Sequence, residues 1–369
     1  MENKIEKLVR EGIRQISPYK PGKPIEELQR EYGLKKIIKL ASNENPFGAS
    51  PEAIKAIKNT AETVGRYPDG AGYYLKNKIS RLISVPAEEI ILGSGSSEII
   101  SMTLETFVKE GEEVIYPHPS FLIYKILALK IGAKRVEVPL NEDFSYDLNK
   151  FLDSITDKTK VIIPCNPNNP TGTIIGKKQL SDFLKNVPEN VIIISDEAYF
   201  EYVESDDFGS AFPYYKEKNI VIARTFSKIY GLAGLRLGYG IGRKEILGYL
   251  ERIRPPFNTT SVAQNAAIAA IEDQKHVKNS REKNIEGKCF LYREFENSGI
   301  EYVPSETNFI LFKVKKNGIK IVKELEKRGI IVRAMTAFGL GENYIRVTIG
   351  TEEENKIFVE NLKEVLKEL

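Results

Sequence analysis

From Leu40 onward the chain alternates short, β-branched apolar runs with longer stretches in which apolar residues recur every three or four positions. The runs are Ile90–Leu92, Glu113–Tyr116, Arg135–Val138, Val161–Pro164, Val191–Ser195, Ile220–Ala223 and Leu237–Ile241. Short continuous apolar runs read as strands covered on both faces, and amphipathic stretches such as Ser97–Val108 and Lys177–Leu184 read as the helices that cross between them. The alternation predicts an α/β fold: a three-layer unit whose mostly parallel seven-stranded sheet carries helices on both sides. After Arg254-Pro255-Pro256 the texture changes. One long helical stretch from Ser261 to about Asn297 is followed by strand patterns at Asn308–Val314, Ile330–Arg333 and Tyr344–Ile349, then a closing helix over Glu352–Leu366. This predicts a smaller α+β unit. Before Leu40 a short helical pattern (Ile5, Leu8, Val9, Gly12) leads into S-P-Y-K-P-G-K-P, whose prolines forbid a continuous helix there. The expected organisation is an arm over residues 1–40, a large domain over 41–255 and a small domain over 256–369, with the arm on the small domain.

Composition narrows the function classes. A chain of 369 residues suits about two domains. Its 54 basic and 51 acidic residues leave a charge of +3, too weak a bias to point to nucleic acid or a membrane surface. Two cysteines, Cys165 and Cys289, imply no disulfide framework, and two histidines, His118 and His276, cannot build a histidine-rich metal site. No apolar run approaches the ~18 residues of a membrane span. The charged start M-E-N-K-I-E-K lacks an apolar secretion signal. A cytoplasmic enzyme without a metal is the expectation.

The candidate chemistry sits in turns that follow strands, where open α/β sheets bind ligands. In I-I-L-G-S-G-S-S-E, Gly93 and Gly95 open a helix near Ser96, whose N–H groups with the Ser96 and Ser97 hydroxyls suit an anion. In C-N-P-N-N-P-T-G two prolines and a glycine fix a turn that holds Asn169 as a rigid amide donor. V-I-I-I-S-D-E-A-Y places Asp196 at a strand end, where it suits a protonated ring nitrogen, with Tyr199 aimed at the same ligand. The acidic pair also fits a nucleotide-hydrolysing strand, but no G-x-x-x-x-G-K-[ST] accompanies it. Phe121 in Y-P-H-P-S-F suits stacking on a flat ring. Finally T-F-S-K-I-Y-G-L-A-G-L-R-L-G-Y packs Thr225, Ser227, Lys228 and Arg236 into one glycine-punctuated turn. Each feature alone has a plainer reading: an ordinary turn, a core phenylalanine, a solvated lysine and arginine. Together they describe one ligand with a phosphate, a flat cationic ring, a ring oxygen and a carbonyl that meets an amine. Pyridoxal 5′-phosphate has all four, and its aldehyde forms a Schiff base with lysine.

These motifs carry a resemblance over nearly the whole chain. S-P-Y-K-P-G-K-P, L-A-S-N-E-N-P-F-G, R-Y-P-D-G, N-P-N-N-P-T-G, S-D-E-A-Y, the Lys228 segment and R-V-T-I-G-T occur in the order found in fold-type I pyridoxal-phosphate aminotransferases. Within that superfamily the chain is most similar to the histidinol-phosphate aminotransferase family. The resemblance implies that Lys228 holds the cofactor and shuttles the proton, that Asp196 partners the ring nitrogen and that Asn169 and Tyr199 bond the ring oxygen. Phe121 matches the stacking aromatic; Thr225, Ser227 and Arg236 fall in the phosphate segment. At Ser96 and Ser97 the family has other small or acidic residues, so only backbone donation carries over. Arg346 matches the arginine that takes the substrate α-carboxylate, and Arg333 one that meets a substrate phosphate or the distal carboxylate of glutamate. Tyr19 and Asn43 match substrate-pocket positions. Tyr67 matches a tyrosine that reaches the phosphate of a neighbouring subunit, implying a homodimer in which the arm over residues 1–40 also packs on the dimer partner.

The implied reaction is amino transfer from histidinol phosphate to 2-oxoglutarate, giving imidazole acetol phosphate and glutamate. An aromatic amino-acid aminotransferase and a threonine-phosphate decarboxylase share the cofactor and the fold and are the nearest rivals. A pyridoxal-phosphate-binding regulator would need a DNA-binding domain, which nothing here resembles.

Overall fold

The computed structural model describes residues 5–18 and 23–369. Its central sheet comprises β1 (Ile90–Gly93), β2 (Glu113–His118), β3 (Lys134–Pro139), β4 (Thr159–Ile162), β5 (Ile192–Asp196), β6 (Ile220–Thr225) and β7 (Gly238–Gly242), in the order β1-β7-β6-β5-β4-β2-β3. Only β7 runs antiparallel to its neighbours; the other pairings are parallel. Because β7 is reversed against both β1 and β6, those two are parallel to each other. The carboxyl ends of β1, β2, β5 and β6 therefore share one edge with the start of β7.

Alternate residues of these strands enter two different cores, as a sheet covered on both faces requires. Ile90, Leu92, Ile193, Ile220 and Ile222 belong to one core, while Ile91, Ile192, Ile194, Val221 and Ala223 belong to the other. The second core is closed by α1 (Ser96–Phe107) and α2 (Ile123–Ile131).

A second sheet, in the order β10-β11-β9-β8, is antiparallel throughout and consists of β8 (Glu301–Tyr302), β9 (Phe309–Lys313), β10 (Arg333–Ala334) and β11 (Tyr344–Thr348). Its own core includes Ile310, Phe312, Ile345, Val347 and, from the last helix Glu352–Glu368, Phe358 and Leu362. That helix starts with a complete capping box between Thr351 and Glu354.

Two patterns that read as single elements are divided. The helical stretch from Ser261 breaks at Asp273 into α3 (Ser261–Glu272) and α4 (Gln274–Asn297), because the Asp273 carboxylate leaves the helix to accept the His276 N–H at 3.1 Å. Ala263, Ala266, Ala267 and Ala270 on α3 pack in the core of the seven-stranded sheet, although residues 256–369 were expected in the small domain. α4 carries Leu291 and Phe295 into the other core. The pattern at Ile330–Arg333 splits as well: Ile330–Ile331 pairs in parallel with Ile38–Lys39, and Arg333 begins β10. The N-terminal segment meets both units, since Leu28 packs with Ala41 and Ile331 while Arg10 Nη2 donates to the Lys130 carbonyl at 2.8 Å. Among the described residues no helix is long and apolar enough to cross a membrane. None of their His, Cys, Asp or Glu clusters is placed to hold a metal ion.

Candidate active site

A cavity of about 210 Å³ opens at the shared carboxyl edge and is roofed by the four-stranded sheet. Its floor is Asp196, the last residue of β5 and 2% exposed. Burial pushes the Asp196 carboxyl up to about 6, against the pull of hydrogen bonds from Tyr124 Oη at 2.7 Å and the Ala198 N–H at 3.2 Å. A cation facing Asp196 from the cavity would favour its charged form. The next residue, Glu197, forms a buried pair with Arg224 (2.7 Å) that ties the end of β5 to the end of β6. Phe121 lines the cavity and meets the Tyr124 ring edge-on, with 5.9 Å between centroids.

Lys228 enters three residues beyond β6. Its Nζ lies 3.4 Å from the Ser42 carbonyl and 5.4 Å from the Tyr199 ring centroid. Burial lowers its pKa to about 8, helped by the positive charges of Arg346 and Arg236 and opposed by Glu44 and Asp196. A lysine so placed is neutral often enough near physiological pH to act as nucleophile and base.

One end of the cavity is built for an anion. The first turn of α1 presents Ser96 and Ser97, and Arg236 Nη1 donates to Ser227 Oγ at 3.2 Å and to the Ala233 carbonyl at 3.0 Å. Two glycines make the approach feasible. Gly95 sits at φ 82°, ψ 172°, a region closed to L-residues, and a Cβ there would lie 2.8 Å from Arg236 Nη2. A Cβ on Gly238 would lie 2.6 Å from the Ser96 nitrogen. Arg236 is itself left-handed, φ 52°. The Thr225 hydroxyl holds this turn: it accepts the Ser227 N–H at 3.1 Å and donates to the Leu237 carbonyl at 3.3 Å.

The other end is cationic. Arg346 on β11 is 4% exposed, and its Nη2 donates to the Ala41 carbonyl at 2.9 Å. Its Nη1 donates to Asn169 Oδ1, which commits that amide's oxygen and leaves its NH₂ to face the cavity. Arg333 is the cross-strand partner of Arg346, and both guanidinium groups lie 5.6 Å from the Phe338 ring centroid. Like charges directly opposite on a sheet repel, so this pairing favours an anion between them. The other asparagines of the proline turn are occupied elsewhere. Asn166 bonds the Gly209 carbonyl and the Ile175 N–H, and Asn168 bonds Ser120, Thr171 and the Pro119 carbonyl. Asn169 is thus the asparagine of the three that serves the cavity.

Asn43 also lines the cavity, but its Nδ2 donates to Tyr199 Oη at 2.8 Å, so it acts on that phenol as well as on whatever the cavity holds. Burial raises the Tyr199 pKa well above its ordinary value. Tyr67 is absent from the cavity wall: it is 82% exposed and stacks on Phe257 at 4.5 Å. Tyr19 lies outside the described residues. Sequence reasoning missed Tyr124, Phe338 and Thr348, whose hydroxyl bonds the N–H and the amide oxygen of Asn43 outside the cavity wall. Tyr124 had a usable signal, since a tyrosine on an otherwise apolar helix needs a partner for its hydroxyl; the other two had none.

The family described as aminotransferase class I and II matches residues 35–362. Among relatives of the chain, a histidinol-phosphate aminotransferase of Moorella thermoacetica is 45% identical over 359 residues, covering 97% of this chain and 92% of the relative. Another, of Caldicellulosiruptor saccharolyticus, is 44% identical and covers 97% of this chain and 100% of the relative. A crystal structure of the Sinorhizobium meliloti histidinol-phosphate aminotransferase in complex with pyridoxal-5′-phosphate superposes with a TM-score of 0.89 at 26% identity, covering 98% of each chain. The chain belongs to the class I and II aminotransferases.

Proposed function

We propose that this chain uses pyridoxal 5′-phosphate to transfer the amino group of histidinol phosphate to 2-oxoglutarate, yielding imidazole acetol phosphate and glutamate. The observation that carries the reading is the Arg333–Arg346 pair in the same cavity as Lys228 and Asp196. The residues fit the cofactor. Gly95 leaves room for a phosphate beside Arg236 and the first turn of α1, and the buried Asp196 carboxylate offers a partner to a protonated ring nitrogen. When bound, pyridoxal phosphate supplies a cationic conjugated ring that takes up the electron pair released on breaking a Cα–H bond.

The chain's own residues do the rest. Asp196 would hold the ring nitrogen protonated, and Asn169 and Tyr199 would donate to the ring oxygen. Arg236, Ser227 and the α1 N–H groups would hold the phosphate, with Thr225 shaping their turn, and Phe121 would meet the ring. Lys228 would hold the cofactor, and its amine, its pKa lowered by burial, would move the proton at the substrate carbon. Arg346 takes the α-carboxylate of glutamate, a role suited to a planar guanidinium. Arg333 meets the phosphate of histidinol phosphate or the distal carboxylate of glutamate, which lets one pocket serve two unlike substrates. Tyr19 and Asn43 complete the substrate side. The exposed Tyr67–Phe257 stack supports a homodimer in which Tyr67 reaches the partner's phosphate site. Two cysteines without a disulfide support a cytoplasmic setting. The separate cores support a large and a small domain, with the change of unit at the Asp273 break.

Borohydride reduction of the yellow protein followed by peptide mapping is expected to find the cofactor on Lys228, and turnover is expected to favour histidinol phosphate over phenylalanine and tyrosine. A colourless protein with unmodified Lys228 overturns the cofactor assignment; a preference for the aromatic amino acids overturns only the substrate.

A further inference from the structure

Tyr199 serves the cavity only if its hydroxyl hydrogen points inward, and a phenol is free to turn. Three hydrogen bonds remove that freedom. The hydroxyl of Thr348, the last residue of β11, accepts the Asn43 N–H at 2.9 Å, so its own hydrogen goes to Asn43 Oδ1 at 3.2 Å. This fixes the orientation of the Asn43 amide. Its Nδ2 then donates to Tyr199 Oη at 2.8 Å, which makes the phenol an acceptor on that side and turns its hydrogen to the cavity. The Asn43 backbone is itself firmly held, since the residue is 1% exposed, has a left-handed φ of 57°, and accepts at its carbonyl from Asn308 Nδ2 at 3.0 Å.

We propose that Thr348 is a positioning residue that, through Asn43, sets the direction in which Tyr199 donates its hydrogen bond. The proposal rests on the assignment of the cavity to pyridoxal phosphate. It joins the four-stranded sheet, the Ala41–Asn45 segment and the end of β5 in one directed chain of hydrogen bonds, without a contact between Thr348 and the cofactor. The other groups that bear on Tyr199 are Asp196 and Cys165, the cations of Arg346 and Lys228, and the edge of Phe309. None of these dictates which way the hydroxyl turns.

The test is a pH titration of the visible absorption of the reconstituted holoenzyme. A hydrogen bond donated to the ring oxygen stabilises negative charge there, and that charge is least compensated once the linkage to Lys228 has lost its proton. Removing the donor therefore raises the midpoint. Thr348→Val is expected to raise it by about 0.5–1 pH unit, the tenfold or less that one hydrogen bond is worth. Thr348→Ser, which keeps the hydroxyl, is expected to restore it. Asn43→Gly suits the left-handed backbone and is expected to raise the midpoint similarly, and the double variant should shift no further than Asn43→Gly alone, since both act on one chain. An unmoved midpoint in either single variant, additive shifts, or a serine variant that behaves as valine overturns the relay while leaving the cofactor assignment standing. A wild-type protein that takes up no colour overturns both.

Discussion

The two ends of the cavity are built by opposite strategies. The phosphate end comes from two contiguous stretches, Gly95–Ser97 and Thr225–Gly238, and its backbone sets the place of the Arg236 and Ser227 side chains: glycines that admit close approach, a helix N-terminus and one turn tied by Thr225. The arginine end is assembled from segments far apart in sequence. Arg346 bonds Asn169 and Ala41, and Asn43 bonds Tyr199, over separations of 177, 305 and 156 residues respectively. The first end is rigid by local geometry. The second has its shape only when both sheets are in register, so damage there should change which substrate is handled before it changes whether cofactor is held.

The largest effect should fall on the residue between the two ends. Lys228→Ala removes the covalent tether and the proton carrier together, and kcat is expected to fall by about 10³–10⁴, the upper range for an acid–base group. A loss below tenfold would show that another group carries the proton. At the arginine end, Arg346→Lys keeps a charge but not the planar fork, and should raise KM for glutamate by roughly 10–100-fold, equivalent to one charge-assisted hydrogen bond. Cofactor affinity, read by fluorescence titration, should fall far less, by no more than the loss of the Arg346–Asn169 bond accounts for. Arg333→Ala should reduce histidinol phosphate turnover more than cofactor binding; equal losses would erase the contrast between the two ends.

The same contrast explains what the sequence disclosed. Residues whose role depends on nearby chain, such as Asp196 at a strand end or Lys228 and Arg236 eight positions apart, were legible because strand periodicity and glycine spacing already place them. The seven strands of the large sheet were legible for the same reason. Thr348 was not, since an ordinary strand threonine gains its role only from Asn43, 305 residues away. Nor was the split at Ile330–Arg333: adjacent apolar residues do not say that Ile330 pairs with Ile38 while Arg333 pairs with Arg346. The Asp273 break was present in principle, because an aspartate within a helical pattern competes for backbone N–H groups as a cap.

A smaller effect sharpens the claim that backbone sets the place of the side chains at the phosphate end. Gly95→Ala puts a Cβ 2.8 Å from Arg236 Nη2 on a backbone of φ 82° that only glycine adopts easily. The strain is roughly 1–3 kcal/mol. If it falls on the bound state, cofactor affinity drops about 5–150-fold, while the ratio of glutamate to histidinol phosphate turnover in the saturated enzyme stays fixed. A changed ratio would show that the two ends are mechanically coupled.

The smallest effect concerns the cost of keeping the floor of the cavity ready, and its sign is the opposite of intuition. Asp196 has a folded-state pKa of about 6, above its ordinary 3.8, with burial as the main cause. A carboxyl raised in this way lends its stability to the apoprotein below about pH 4, and that contribution is lost as pH rises through 6, because the native state must then hold a desolvated charge. Above pH 6 the cofactor-free protein should therefore gain from Asp196→Asn. The amide oxygen can accept the Ala198 N–H while its NH₂ donates to Tyr124 Oη, whose own hydrogen, now given to Asp196, must turn to Cys165 beside it. The expected result is a rise of about 1–3 °C in the apoprotein's apparent melting temperature at pH 7.5, shrinking to nothing near pH 4. In the cofactor-loaded protein the order should reverse, since the ring cation then compensates the charge that the asparagine lacks. If the substitution destabilises the apoprotein at pH 7.5 as much as the loaded form, Asp196 serves as a structural anchor of β5 rather than as a carboxylate held in readiness for a cation.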